Sequence, residues 1–172
     1  PVLEEYIRRQ YPGFKLISST TKRITGLDGL LEELNKDYFL VVLDYDLNHN
    51  EEVLSAIGKQ ADKVEILVNE ICYPGCPKRS EHYRQQSQMQ LEYDIDAAFP
   101  CPNKTRERKF EECKERPSFI SREQIREYAD RGFVNFKIVG RGMPMDFVKE
   151  SYLYYLVKDD SRHLSEIKWN LH

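Results

Sequence analysis

Cys72 and Cys76 stand in the run Cys-Tyr-Pro-Gly-Cys-Pro, Cys101 and Cys113 follow, and the chain holds no fifth cysteine. Thiolates are soft donors suited to zinc or iron-sulfur clusters, and four of them equal the ligand count of a 4Fe-4S cluster. Their spacings leave three, twenty-four and eleven residues between successive cysteines. These fit neither the paired Cys-x-x-Cys knuckles of a zinc ribbon nor the three-cysteine signature of radical S-adenosylmethionine enzymes. Two disulfides, or a set of thiols used only for packing, are the alternatives.

Other residue groups offer further chemistry. Asp44, Asp46 and Asn48 end an apolar run, where they would bind a cation or a substrate hydroxyl, or simply form a turn rich in Asp and Asn. Arg79, His82 and Tyr83 have helical i, i+3, i+4 spacing just past the first cysteine pair and would share one helix face, with His82 an acid, base or ligand. Lys137 and Arg141 would hold a carboxylate or phosphate, or pair with Glu65. No Ser-His-Asp, Cys-His, P-loop or Gly-x-Gly-x-x-Gly arrangement is present to support a hydrolase or nucleotide-binding assignment.

The elements that must position these groups follow from apolar periodicity. Helical spacing covers Pro1 to Gln10, Gly26 to Asn35, Glu51 to Ala61, Glu81 to Gln90 and Met145 to Val157, the last extending towards Trp169. Ser121 and Gln124 have the spacing of a capping box for a helix that Gly132 stops. Strands are expected over Phe14–Thr21, Tyr38–Asp44, Lys63–Ile71 and Phe133–Gly140. Residues 91–117 form the least regular stretch, an insertion that carries Cys101, Cys113 and a short charged helix near Lys104–Lys114.

Strands alternating with helices predict an α/β fold of about four parallel βα units. A closed eight-unit barrel needs roughly 200 residues or more, so 172 residues would supply part or half of one, or an open doubly wound sheet. Parity favours the barrel. Val64, Ile66 and Val68 point one way while Glu65, Leu67 and Asn69 point the other, and Lys137, Val139 and Arg141 oppose Phe136 and Ile138. A lumen in which Glu65, Lys137 and Arg141 pair would satisfy those charges. Asn69, Lys137, Arg141 and His82 make the candidate catalytic set, and Cys72, Cys76, Cys101 and Cys113 the candidate ligands.

Composition narrows the setting. A 40% hydrophobic content supports a packed core in one β/α domain, and 26 basic against 29 acidic residues give a net charge of -3, with no global attraction to nucleic acid. No apolar run reaches bilayer length and no signal peptide is legible, so the cytosol is the expected address, where thiols stay reduced. A chain that opens on Pro1 inside a helical pattern reads as a processed or truncated piece of a longer protein.

The run Val-Asn-Glu-Ile-Cys-Tyr-Pro-Gly-Cys-Pro-Lys-Arg from Val68 to Arg79, with His82 and Tyr83 after it, and Phe-Lys-Ile-Val-Gly-Arg from Phe136 to Arg141, resemble peptidase family U thirty-two. The likeness spans about Phe14 to Arg141 and corresponds to the later half of that family's barrel-type domain. It implies collagenase-like proteolysis or, as in members that hold a 4Fe-4S cluster on four cysteines, oxygen-independent hydroxylation of RNA or quinone precursors. By position it supports Cys72 and Cys76 as ligands, whereas the spacing to Cys101 and Cys113 departs from the family pattern. No glutamate or serine matches a proteolytic role.

Three functions follow as expectations: an iron-sulfur enzyme with redox chemistry such as hydroxylation, a zinc-dependent peptidase or hydrolase, and a noncatalytic fragment whose cysteines staple a loop. The substrate would be a small molecule, a peptide or RNA, with no membrane involved. An open sheet edge predicts either a missing N-terminal half or a symmetric homodimer.

Overall fold

The structure is a computed structural model that describes residues 2–93, 99–101 and 108–161. Its centre is a four-stranded, all-parallel sheet of β1 (Ile17–Ser18), β2 (Leu40–Val42), β3 (Val64–Leu67) and β4 (Asn135–Lys137), in the order β1-β2-β3-β4. Each strand is shorter than its apolar run, because the ends leave the ladder for turns. At β1, Ser19 accepts a hydrogen bond from the Thr21 N–H and starts a 3-10 turn, Thr20–Lys22, instead of extending the strand.

The strand order has no reversal, so every crossover steps in the same direction. A doubly wound sheet reverses at a switch point, and this four-strand order, without one, is consistent with part of a βα barrel. The crossovers are α2 (Leu27–Leu34), α3 (Glu51–Ile57) and α6 (Arg122–Asp130). Val41, Leu43, Val64, Ile66 and Val68 project from the strands into one core with Leu30, Leu34, Val53, Leu54, Ile57 and Tyr128 of those helices. Each fully buried aliphatic side chain contributes about 1.5–3 kcal/mol. The opposite parity carries Glu65, Leu67 and Lys137, and register sets Leu67 beside Lys137 across the β3–β4 pair. The parity read from the sequence therefore holds, with the helices on the apolar face.

Local signals explain the helix ends. The Ser121 side chain accepts from the Gln124 N–H while the Gln124 side chain accepts from the Ser121 N–H, a complete capping box at the start of α6. Asn50 caps α3 by accepting from the Val53 N–H. Helix α3 is shorter than its periodicity predicts: Gly58, at φ 54°, turns the chain into a 3-10 segment, Gly58–Lys63. The first helix, α1 (Val2–Gln10), has acidic residues in its first turn and basic ones in its last, and none of its residues is buried.

Between β3 and its return helix α6 the chain makes an excursion of about fifty residues beyond the C-terminal edge of the sheet, and all four cysteines lie on it. It contains α4 (Arg79–Glu92) and α5 (Phe110–Lys114). Helix α4 is polar on every face and buries only Arg79, so it cannot cover the sheet; α6, with Ile125 and Tyr128 turned inward, does so. The expected irregularity of 91–117 gives way to order at α5. Phe110 and Cys113 pack with Phe147 of α7 (Met145–Leu156), and Ile71, Phe119, Tyr154 and Tyr155 surround them in a second apolar cluster. The expected helical residues 104–107 and the continuation from 162 to Trp169 lie outside the described residues.

Candidate active-site cleft at the C-terminal edge

The ends of β3 and β4, the β1–α2 loop and α4 enclose a cleft of about 790 Å³, within the range of small-molecule sites. Among the described residues, Arg79, Arg108, Arg116, Lys137 and Arg141 line it against two acidic residues, Glu70 and Glu112. A cation-rich cleft in an acidic chain concentrates anions.

Several contacts hold the Cys72–Cys76 loop in place. The Cys72 N–H donates to Glu70 Oε1 at 2.9 Å, Arg116 Nε donates to the Ile71 carbonyl at 3.0 Å, and Arg79 Nη2 donates to the Tyr73 carbonyl at 2.9 Å. The Arg116 guanidinium also lies 3.8 Å over the Tyr73 ring. Gly75 adopts φ 66°, a left-handed conformation that favours glycine between the two cysteines.

All four cysteines are free thiols. Cys72 and Cys101 line the cleft. Burial first, then the charge of Glu70, push the Cys72 thiol up to about 12. Cys113 is 0% exposed in the second apolar cluster and does not reach the cleft surface. Burial and the Glu70 charge push it up to about 12 as well. The Glu70 pKa is itself raised by burial, against the hydrogen bonds it accepts from the loop backbone. Among the described residues, no three His, Cys, Asp or Glu side chains gather closely enough to share one metal ion.

The expected face of α4 forms, since Arg79, His82 and Tyr83 all line the cleft. The His82 ring stacks on Phe99 with centroids 4.5 Å apart and planes within 7°. Burial and the charges of Arg79 and Arg108 lower its pKa, so the imidazole is neutral at pH 7 and can accept a proton. Lys137, half-exposed, donates to Glu65 Oε1 at 3.0 Å, which is the lumenal pair expected; Arg141 lines the cleft without joining it.

Two groups hold structure together instead. Asn69 is 0% exposed and is absent from the cleft wall. Its Nδ2 donates to the Val139 carbonyl at 3.0 Å and to Ser151 Oγ at 3.2 Å, while its Oδ1 accepts from the Val139 N–H at 2.6 Å. It positions the strand ends and touches nothing in the cleft. Asp44 and Asp46 take up a guanidinium instead of a cation: Arg23 Nη1 lies 2.6 Å from both Asp44 oxygens, and Nη2 2.7 Å from Asp46 Oδ2. Asn48 donates to the Leu67 and Ser118 carbonyls.

Sequence reasoning missed Glu70, Arg116, Glu112 and Thr20. Glu70 adjoins the cysteine motif and could have been found there. The others reach the cleft only through the excursion and the β1–α2 loop, whose paths carry no periodic signal.

No family model matches the sequence, and no solved structure matches it. The chain is 27% identical over 161 residues to an uncharacterized protease of Methanocaldococcus jannaschii, covering 90% of this chain. It spans 47% of that protein's length, about half. The likeness is distant, and it runs in the same direction as the protease-type family that the cysteine-bearing strand end resembles.

Proposed function

We propose that this chain forms part of a U thirty-two-type enzyme whose cleft binds an iron-sulfur cluster, with Cys72, Cys76 and Cys101 as ligands on the cleft side and Cys113 as the fourth. The observation that carries this reading is that Cys72 and Cys101 line one cleft, with Cys76 on the same loop as Cys72, at the C-terminal edge of parallel strands, where α/β folds place their sites. The donor set fits the group in kind, soft thiols four in number; Cys113, buried in the second apolar cluster, would have to turn out of it to join the others. A bound 4Fe-4S cluster would supply one-electron chemistry.

The protein's own groups have separate tasks. Lys137 and Arg141 hold an anionic part of the substrate at the cleft wall. His82, neutral and held flat on Phe99, takes up a proton from a group bound beside it. The apolar, partly buried side chains of Ile71, Met89 and Met143 in the cleft wall limit water. The reaction class is redox, with hydroxylation the form that the family resemblance implies.

A second reading is hydrolysis of a peptide with zinc on the same thiols, supported by the relative's description as a protease. Purification without oxygen, followed by supply of iron and sulfide, separates the two. A brown protein with a visible thiolate-to-iron band and bound sulfide, lost in Cys72→Ser, supports the cluster. Colourless protein with stoichiometric zinc supports hydrolysis, and neither metal overturns both.

A further inference from the structure

In the cleft wall, Arg79 is 2% exposed yet has no carboxylate partner among the described residues. Its Nη2 is held by the Tyr73 carbonyl, and its guanidinium lies 4.3 Å over the Tyr45 ring. Among the described residues neither Nε nor Nη1 meets an acceptor. Asp44, the nearby carboxylate, is already engaged by Arg23. A buried cation with unmet donors is costly unless an anion completes it.

A second orphaned group stands on the same cleft. Thr20 Oγ1 is buried, lines the cleft and likewise has no partner among the described residues. Thr20 and Arg79 come from separate elements, the 3-10 turn after β1 and the first turn of α4, and both line the cleft. The Arg79 guanidinium also lies 5.8 Å from the centroid of the Tyr83 ring. One guanidinium and one hydroxyl, fixed by separate elements and both unsatisfied, make a site for an oxyanion.

We infer that Arg79 and Thr20 form a binding site for the oxyanion group, carboxylate or phosphate, of a small-molecule ligand that fills the cleft. Nη2 anchors the plane of the guanidinium, and Nε and Nη1 supply charge-assisted hydrogen bonds; the Thr20 hydroxyl adds a neutral one. Glu112 Oε2, also in the cleft lining, is likewise buried without a partner among the described residues, so a ligand carrying an O–H or N–H donor besides its oxyanion matches the polarity of the cleft. This site deepens the proposal of an anionic substrate but is independent of any cluster on the cysteines.

The test is a titration of the whole chain with sodium phosphate and, separately, sodium acetate, at constant pH and with ionic strength held by sodium chloride. The thermal midpoint and the Arg79 side-chain N–H resonances are the readouts. At least one anion should raise the midpoint saturably and shift those resonances, and which of the two does so distinguishes a phosphate from a carboxylate ligand. Arg79→Gln and Thr20→Val should each weaken binding by about tenfold or more, whereas Lys15→Ala, a cation away from the cleft, should not. Thr20→Val removes a hydroxyl without a partner and should leave the unliganded chain folded, so the test survives a failure of Arg79→Gln to fold. No saturable response to either anion, or equal affinity in Thr20→Val and the unmodified chain, overturns the inference. Repeating the titration on Cys72→Ser separates the two readings, because anion binding should persist there whether or not the unmodified chain binds iron.

Discussion

Asn69 lies on the inward parity of β3, one residue before Glu70 and three before Cys72, so its sequence position suggests chemistry. Its amide instead ties β3 to the loop after β4 and to α7 through three hydrogen bonds. Asn69→Ala would leave the partly buried Val139 N–H without this partner, an effect of about 1–3 kcal/mol on folding. Urea denaturation should show that loss; unchanged stability would mean that the contacts carry no weight. Arg79 illustrates the converse. Helical spacing placed it on a face with His82 and Tyr83, but only the packed structure shows that its donors are buried and unmet.

At the scale of elements, α1, α2 and the strands between them are joined by one polar network. Glu33 of α2 accepts from Ser18 Oγ, Lys22 Nζ and Lys36 Nζ; Lys22 also donates to the Tyr38 hydroxyl, which donates to Glu4 of α1. Burial works against the Glu33 charge, but the hydrogen bonds from Lys22, Lys36 and Ser18 outweigh it and hold the carboxyl down at about 2, from 4.5. A depressed folded pKa means that this stabilisation is complete above the unfolded value and disappears as pH falls through the folded one. Thermal stability should therefore decline between about pH 4.5 and pH 2, and Glu33→Gln should flatten that decline while lowering stability at pH 7. An identical acid slope in the variant would show that other carboxylates set it.

The molecule as a whole leaves apolar surface at its first-strand edge. Val2 is 84% exposed, and Leu3, Tyr6, Phe14, Ile17 and Phe39 are exposed with it, around a two-residue strand with an unpaired edge among the described residues. A cluster of that kind seeks cover, and a preceding βα unit or a second copy of the chain would both provide it. The chain alone should self-associate with rising concentration in sedimentation experiments, and Val2→Ser with Leu3→Ser should shift it towards monomer. A monomer at all concentrations would mean that this surface tolerates water. No helix among the described residues is long and apolar enough to cross a membrane.

Period-two and helical patterning in the sequence determined the parallel βα units, the parity that sets Glu65 and Lys137 opposite the apolar core, the Ser121 cap and the face shared by Arg79, His82 and Tyr83. These depend on local geometry, where neighbours in sequence are neighbours in space. Only the tertiary structure decided that α4 lines the cleft while α6 covers the sheet, that Asp44 and Asp46 bind Arg23, and that Cys113 lies in an aromatic core while Cys72 and Cys101 face the cleft. Those outcomes depend on contacts between segments tens of residues apart and on which polar atoms find partners after packing, and periodicity carries neither.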